Sequence, residues 1–338
     1  MSSRILLTGG SGFVGSHVLG LLQAGGDRVR VLRHRRGLPG AARTGLLEVV
    51  TGDLRDAGSL HGVCDGVGTV LHLAVQIGGA PETCRQVNEL GTAALLAEAR
   101  RAGVRRFVAL STTAVYRDGV HRGAGENLLP LDPHSATSRT RLAAERRVVA
   151  ADGIVLRPHL VYGTGDRWVI PALVELLSHV PRWVGGGRAR VSVIAVEDLA
   201  RHLVALARTP WDPTPGGEIY HACEPEPVRI RYLARLVAAE LGLALPAGEI
   251  TAADALALLP DDEAELWQRR LSLLGVDHWY DGRRLWQRTG VPPSPATAER
   301  FNRHAAWYRG QLGCSGAVPQ RAGPAVQPPL EGRLGSAA

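Results

Sequence analysis

The feature that most constrains this chain is a run of glycines near its start. Thr8-Gly9-Gly10-Ser11-Gly12-Phe13-Val14-Gly15 follows the short apolar segment 4–8 and leads into Phe13, Val14, Val18, Leu21 and Leu22, which recur at helical spacing. Strand, glycine turn and helix in that order make a place where backbone N–H groups can approach a pyrophosphate, with the positive end of the helix behind them. Gly9, Gly12, Phe13, Val14 and Gly15 are therefore the candidate residues for holding a dinucleotide. An ordinary glycine turn would demand neither the preceding strand nor the following helix.

Further apolar runs lie at 29–32, 47–50, 70–74, 107–110 and 153–156, each near-continuous rather than alternating, as expected of strands buried on both faces. Helical patterns at 87–102 and 140–151 fall between the later ones. The βαβα alternation predicts an α/β fold of Rossmann type, a doubly wound parallel sheet covered by helices. Past residue 165 the pattern shifts to proline-punctuated helical segments at 171–180, 196–207, 230–241 and 252–274. Residues 1–165 are thus expected to form the nucleotide-binding domain, with some later strands returning to it, and 166–310 a smaller, mainly helical substrate region. Residues 311–338 hold few large apolar groups and are expected to form a disordered tail.

Composition excludes several classes. No apolar run approaches the roughly 18 residues that span a bilayer, and Met1–Gly9 reads as strand and turn rather than a secretory leader, so a cytoplasmic protein is expected. The cysteines, Cys64, Cys84, Cys223 and Cys314, are far apart and form no CxxC pair, and the twelve histidines show no HExxH or similar spacing. No metal site is expected. All 39 basic residues are arginine, which removes any chemistry that needs an ammonium side chain. The net charge of +7 comes without a nucleic-acid-binding motif.

The end of the second strand decides the cofactor. NAD-binding sites of this design place a carboxylate there for the ribose hydroxyls, whereas Val31-Leu32 here runs into Arg33-His34-Arg35-Arg36. Guanidinium groups bind a 2′-phosphate through charge-assisted, often bidentate bonds. NADP(H) is the expectation, the alternative being a solvated arginine run. Asp53, with Leu54, closes the third strand near the adenine position, where it could accept from the exocyclic amine or serve as a helix cap.

These residues, together with Leu71-His72-Leu73-Ala74, Val87-Asn88-Glu89-Leu90-Gly91-Thr92, Ser111-Thr112-Thr113-Ala114-Val115-Tyr116, Arg157-Pro158, Val161-Tyr162-Gly163 and Val196-Glu197-Asp198-Leu199-Ala200, resemble the extended short-chain dehydrogenase/reductases. That group includes nucleotide-sugar epimerases, dehydratases and ketoreductases, and the match covers most of residues 4–309. The resemblance implies that Leu73, Ala74 and Val75 line the nicotinamide side and that Pro158, His159 and Leu160 contact its carboxamide.

The resemblance breaks at the catalytic pair. The family relies on a Ser or Thr and on Tyr-x-x-x-Lys; Thr112 holds the first position, flanked by Ser111 and Thr113. The helix that should carry the pair reads Thr137-Ser138-Arg139-Thr140-Arg141-Leu142-Ala143-Ala144-Glu145, with Thr137 for tyrosine and Arg141 for lysine. Neither is a good general acid near neutrality, and the loss is worth roughly 10²- to 10⁴-fold in rate. Arg141 is then expected to orient the nicotinamide ribose and a developing alkoxide, with Thr112 on the carbonyl.

The expected function is reduction of a carbonyl on an aromatic polyketide-like small molecule, its proton supplied by the substrate's own hydroxyl or by water. In this the chain resembles the atypical ketoreductases of aromatic polyketide pathways. All seven tryptophans lie past the nucleotide half, which suits a flat apolar ligand, although each singly fits a core position better. The alternative is a non-catalytic NADP(H)-binding regulator or scaffold. Sugar-nucleotide epimerisation or dehydration fits less well, since both need the missing base. Monomer and homodimer are equally compatible with the sequence.

Overall fold

Strand β1 (Arg4–Thr8) is buried from its second residue onward, as a strand at the centre of a sheet must be. The computed structural model describes residues 4–34, 37, 45–209, 211–260, 264–292 and 296–313. Around β1 lie β2 (Val29–Arg33), β3 (Leu47–Thr51), β4 (Val67–His72), β5 (Arg106–Leu110), β6 (Ile154–Pro158) and β7 (Glu218–Ala222). They form one seven-stranded sheet in the order β7-β6-β5-β4-β1-β2-β3, parallel at every pairing. The direction of winding reverses between β1 and β4, and the crevice past the carboxyl ends of those strands is where such sheets bind ligands.

The predicted strand at 70–74 begins earlier, at Val67, and stops at His72. Leu73–Val75 are consequently loop residues beyond the strand end. The predicted helix at 87–102 is a π-helical turn, Arg85–Leu90, continuing into α2 (Gly91–Arg101). The one predicted at 140–151 starts a turn earlier: α3 spans Ala136–Ala150 because Ser135 and Ser138 form a reciprocal cap. Helix α1 (Phe13–Ala24) packs on one sheet face beside α5 (Val196–Arg208), around Val18, Leu22, Leu199 and Leu203. An Arg208–Asp27 ion pair at 2.7 Å fastens the two helices. On the other face α2 and α3 enclose Leu6, Leu95, Phe107 and Val148.

Two later elements, α5 and β7, therefore return to the nucleotide sheet. Four further helices, α4 (Val169–His179), α6 (Ile230–Leu241), α7 (Ala264–Leu274) and α8 (Thr297–Leu312), surround a second core containing Trp183, Trp267, Phe301 and Tyr308. The single helix predicted over 252–274 is broken, with Ala252–Leu256 and α7 as separate pieces. Pro260 explains the break, since it disfavours helical backbone at Leu259. Helix α8 continues to Leu312 and closes on Gly313 at φ +60°, so 311–312 are helical. The rest of the expected tail, 314–338, lies outside the described residues, as does Cys314. No described helix is long and apolar enough to cross a membrane.

Candidate active site

The glycine turn between β1 and α1 leaves no room for a side chain at Gly9 or Gly15. Gly9 has φ +73°, and a Cβ there would lie 2.7 Å from the Ala74 nitrogen; a Cβ on Gly15 would lie 2.0 Å from the Gly9 carbonyl oxygen. The Gly12 amide donates to the Gly9 carbonyl at 2.9 Å, closing the turn. Gly12 is also the N-cap of α1, and no side chain caps that helix. Phe13 and Val14 open the helix, their first-turn amides directed at the glycine cradle. Main chain stripped of side chains at a helix N-terminus fits a pyrophosphate.

At the other end of the crevice Arg33 finishes β2 with its side chain exposed, and its carbonyl accepts from the Gly52 amide at 3.0 Å. Beside it, His34 Nε2 lies 3.1 Å from Asp53 Oδ2. Arg55 binds the same carboxylate through Nε at 3.0 and 3.1 Å and Nη2 at 2.6 Å, and its own amide adds a bond at 2.9 Å. The Arg55 guanidinium holds the Asp53 pKa down at about 2. Sequence reasoning passed over Arg55; its position two residues after Asp53 was the available signal. The cap considered for Asp53 belongs to Asp56, which accepts from the Gly58 amide at 3.0 Å. Leu54 packs on Gly91, where a Cβ would come within 2.7 Å of the leucine Cβ. Arg35 and Arg36 lie outside the described residues.

Past the end of β4 a chain of hydrogen bonds fixes the backbone. The Leu73 and Ala74 amides both donate to Thr8 Oγ1 at 3.2 Å, and that hydroxyl lies 2.7 Å from His72 Nδ1. His72 Nε2 meets Thr92 Oγ1 at 2.9 Å, and Thr92 donates to the Asn88 carbonyl at 2.6 Å. Because the Thr92 proton is spent on that carbonyl, Nε2 carries the imidazole proton and Nδ1 accepts from Thr8. Burial keeps His72 neutral, its pKa lowered to about 4, with Arg141 adding to the effect. Asn88 secures the next residue, accepting from the Gln76 amide at 2.7 Å and donating to its carbonyl at 3.0 Å. Between this loop, β5 and α3 lies a cavity of about 330 Å³, lined by Ala74, Val75, Leu110, Ser111, Arg141 and Glu145 among others; no tyrosine lines it.

Arg141 reaches this cavity from α3. Its Nη2 donates to the Leu110 carbonyl at 3.0 Å, and burial lowers its pKa to about 10, still protonated at neutral pH. Thr137, one turn earlier, does not line the cavity; its Oγ1 accepts from the Gly78 amide at 3.0 Å.

The three candidate hydroxyls after β5 separate. Ser111 donates to Glu145, which pairs with Arg157 at 2.5 Å in the interior. Thr113 is 3% exposed and lies 2.9 Å from His159 Nδ1. Neither has the freedom expected of a carbonyl-binding group, because burial committed each to an internal partner. Thr112 is half-buried; its oxygen accepts from the Ala114 amide at 3.1 Å, which leaves the hydroxyl proton to donate elsewhere. The buried Glu145–Arg157 pair was legible only as a register mark and a motif. Tyr116 is also interior, within 2.9 Å of Arg157 Nη1 and 2.6 Å of His221 Nε2, with burial raising its pKa to about 12.

Pro158 ends β6, His159 follows half-buried, and Leu160 starts the short strand Leu160–Tyr162, which pairs with Val193–Ala195 and carries the chain into the second core. The His159 Nε2 atom is buried without a partner, and its ring stacks on His278 with centroids 5.6 Å apart. Burial, reinforced by His278, pushes its pKa well below the usual histidine value. Of the tryptophans, Trp183, Trp267 and Trp286 are buried and Trp168 is 59% exposed; none lines the cavity. Among the described residues no group of three or more potential ligands could hold a metal ion.

Comparisons with known proteins bear on the family and the fold. The model of the NAD dependent epimerase/dehydratase family matches residues 5–223. A 3 beta-hydroxysteroid dehydrogenase/Delta 5-->4-isomerase of Mycobacterium tuberculosis is 34% identical over 263 residues, 72% of this chain and 70% of its own length. A 4-hydroxy-2-methyl-3-oxo-4-farnesyl-3,4-dihydroquinoline-1-oxide ketoreductase of Stigmatella aurantiaca is 29% identical, covering 73% and 76%. Among solved structures, the dTDP-glucose 4,6-dehydratase of Streptomyces venezuelae with NAD and TYD bound superposes with a TM-score of 0.72 at 25% identity, covering 92% of this chain and 98% of the other.

Proposed function

The chain belongs to the NAD dependent epimerase/dehydratase family, and from that premise we propose that it is an oxidoreductase: an NADPH-dependent ketoreductase acting on a polycyclic aromatic ketone, of the angucyclinone type, with no acid of its own at the carbonyl. Relatives named as ketoreductases and reductases support the reaction class. The observation that carries the reading is the lining of the cavity: neither a tyrosine nor Thr137 faces it, and Arg141 puts a protonated guanidinium against it.

NADPH when bound supplies the hydride. The protein's part is holding and polarising. Gly9, Gly12 and Gly15 with the Phe13 and Val14 amides take the pyrophosphate, and Arg33 and His34, with Arg35 and Arg36, take the 2′-phosphate. Asp53 and Leu54 border the adenine. Leu73, Ala74 and Val75 form one wall of the nicotinamide side and Pro158, His159 and Leu160 the other. Arg141 orients the ribose and stabilises negative charge on the carbonyl oxygen, to which Thr112 donates its hydroxyl proton in a hydrogen bond. The proton that completes the alcohol comes from the substrate's own hydroxyl beside the carbonyl, or from water. Such a hydroxyl recovers the roughly 3–5 kcal/mol that a positioned acid would contribute, while positioning by the cofactor site serves the hydride step.

Two assays test this: oxidation of NADPH, followed at its nicotinamide absorbance, with a polycyclic hydroxy-ketone, and the same assay with the methyl ether of that hydroxyl. Turnover of the first and near-loss of the second is expected. NADPH binding with no turnover of any such ketone would favour a non-catalytic regulator or scaffold instead, a reading that the missing tyrosine also supports. Equal affinity for NADH would remove the cofactor assignment.

A further inference from the structure

We propose that Arg55 is a specificity-determining residue for the cofactor's 2′-phosphate, acting by masking the Asp53 carboxylate and by presenting the free edge of its own guanidinium. The inference rests on the NADP(H) reading above and assigns to it a residue outside the arginine run that suggested it.

Asp53 sits beside the end of β2. The Gly52 amide bonds the Arg33 carbonyl at 3.0 Å, so the residue after it shares the rim of the crevice with Arg33 and His34. A bare carboxylate here would repel a dianionic phosphate on the neighbouring ribose through a surface environment that screens charge only in part. The structure masks that charge. Asp53 Oδ1 already accepts from the Arg55 amide and Nε, and Oδ2 from Arg55 Nε and Nη2, with His34 Nε2 3.1 Å from Oδ2. The fork–fork geometry is the one in which arginine grips a carboxylate most firmly.

Arg55 is not used up by this. Its side chain is 37% exposed, and its bonds to Asp53 run through Nε and Nη2, which leaves Nη1 for a second anion. With Arg55 in place the Arg33–Asp53–Arg55 group carries one net positive charge when His34 is neutral; without it the group carries none. A 2′-phosphate responds to that difference and a ribose hydroxyl does not.

Isothermal titration with adenosine 2′,5′-bisphosphate and with 5′-AMP separates the possibilities without using catalysis, applied to the full chain, to Arg55→Ala and to Arg55→Ala/Asp53→Asn. The wild-type chain should prefer the bisphosphate. Arg55→Ala should weaken the bisphosphate about tenfold, the scale of one charge-assisted contact, and 5′-AMP by less than about threefold. Adding Asp53→Asn should recover part of the loss, because the unmasked charge is gone. Equal weakening of both ligands in Arg55→Ala would overturn the proposal, and so would a double variant that recovers nothing. A wild-type chain with no preference would instead remove the NADP(H) reading itself, so that measurement comes first.

Discussion

The Gly78 amide donates to Thr137 Oγ1 across 3.0 Å, so the side chain standing where the family's tyrosine is expected holds down a loop instead of facing the cavity. Cys84 fills the same corner, its Sγ 3.4 Å from the Gly78 carbonyl and 3.8 Å from Thr137 Oγ1. A packed corner therefore stands where the phenol is expected: the Gln76–Gly78 loop is tied at one end to Asn88 and at the other to Thr137.

That packing predicts that introducing the family's residues will not confer its chemistry. In Thr137→Tyr/Arg141→Lys the phenol must displace Gly78 or Cys84, and overpacking of this kind costs about 1–3 kcal/mol. The melting temperature should fall, and turnover of a methylated ketone should stay near background. Appearance of strong activity toward the methyl ether would mean that the loop yields easily and that the tyrosine's place was kept.

The Glu145–Arg157 pair makes a sharper stability prediction. Both side chains are almost wholly buried, and Ser111 supplies the carboxylate with a further donor. Glu145→Gln leaves a buried guanidinium without its counter-charge, a change worth about 3–5 kcal/mol. Urea unfolding should show a lowered midpoint with an unchanged slope. Ser111→Ala, which removes only one bond, should cost about 1 kcal/mol.

Several buried histidines set the acid limit of the fold. Burial lowers His72, His221 and His278 each to about 4, whereas the unfolded chain takes up those protons near 6.5. Below pH 6.5 the unfolded state binds more protons than the folded one, so stability falls as pH drops from 6.5 toward 4 and is unaffected by these groups above 7. Each contributes a slope approaching about 1.4 kcal/mol per pH unit within that window. Melting curves at pH 7.5, 6.5, 5.5 and 4.5 should show the decline, and His72→Gln should flatten it by about one proton. A pH-independent melting temperature across this range would contradict the neutral assignment of His72.

The fold was legible because its signals are local. Continuous apolar strands and glycines at Gly9, Gly12 and Gly15 specify a parallel sheet and its phosphate turn almost without tertiary information. The site was legible only in part, since what a hydroxyl does depends on partners distant in sequence. Ser111, Thr112 and Thr113 are consecutive and chemically alike, yet one meets Glu145, one caps the next turn, and one meets His159. Nothing in the chain near residue 111 announces Glu145, and nothing near 137 announces Gly78. Arg55 is a different case: it was two residues from a candidate, but whether an arginine binds a phosphate or a neighbouring carboxylate is decided by side-chain direction, which composition does not encode.

This separation of three adjacent hydroxyls gives the last prediction. Thr112 keeps a donor proton, so Thr112→Ala should lower kcat about 5- to 30-fold, the worth of one hydrogen bond to developing charge, and cost no more stability than the lost cap on Ala114, about 1 kcal/mol. Thr113→Val should do the reverse. It strips His159 Nδ1 of its partner while Nε2 already has none, at a cost of about 1–3 kcal/mol, with kcat altered less than in Thr112→Ala. Parallel measurement of kcat and melting temperature for the two variants distinguishes orientation at the carbonyl from support beneath it. If Thr112→Ala abolished turnover outright while still binding cofactor and ketone, the threonine would be moving the proton itself, and the substrate's hydroxyl would lose that role. A loss of only about 5- to 30-fold in Thr112→Ala, combined with collapse on the methyl ether, would instead put the proton on the substrate, because the reaction then survives without the threonine hydroxyl but not without the substrate's own.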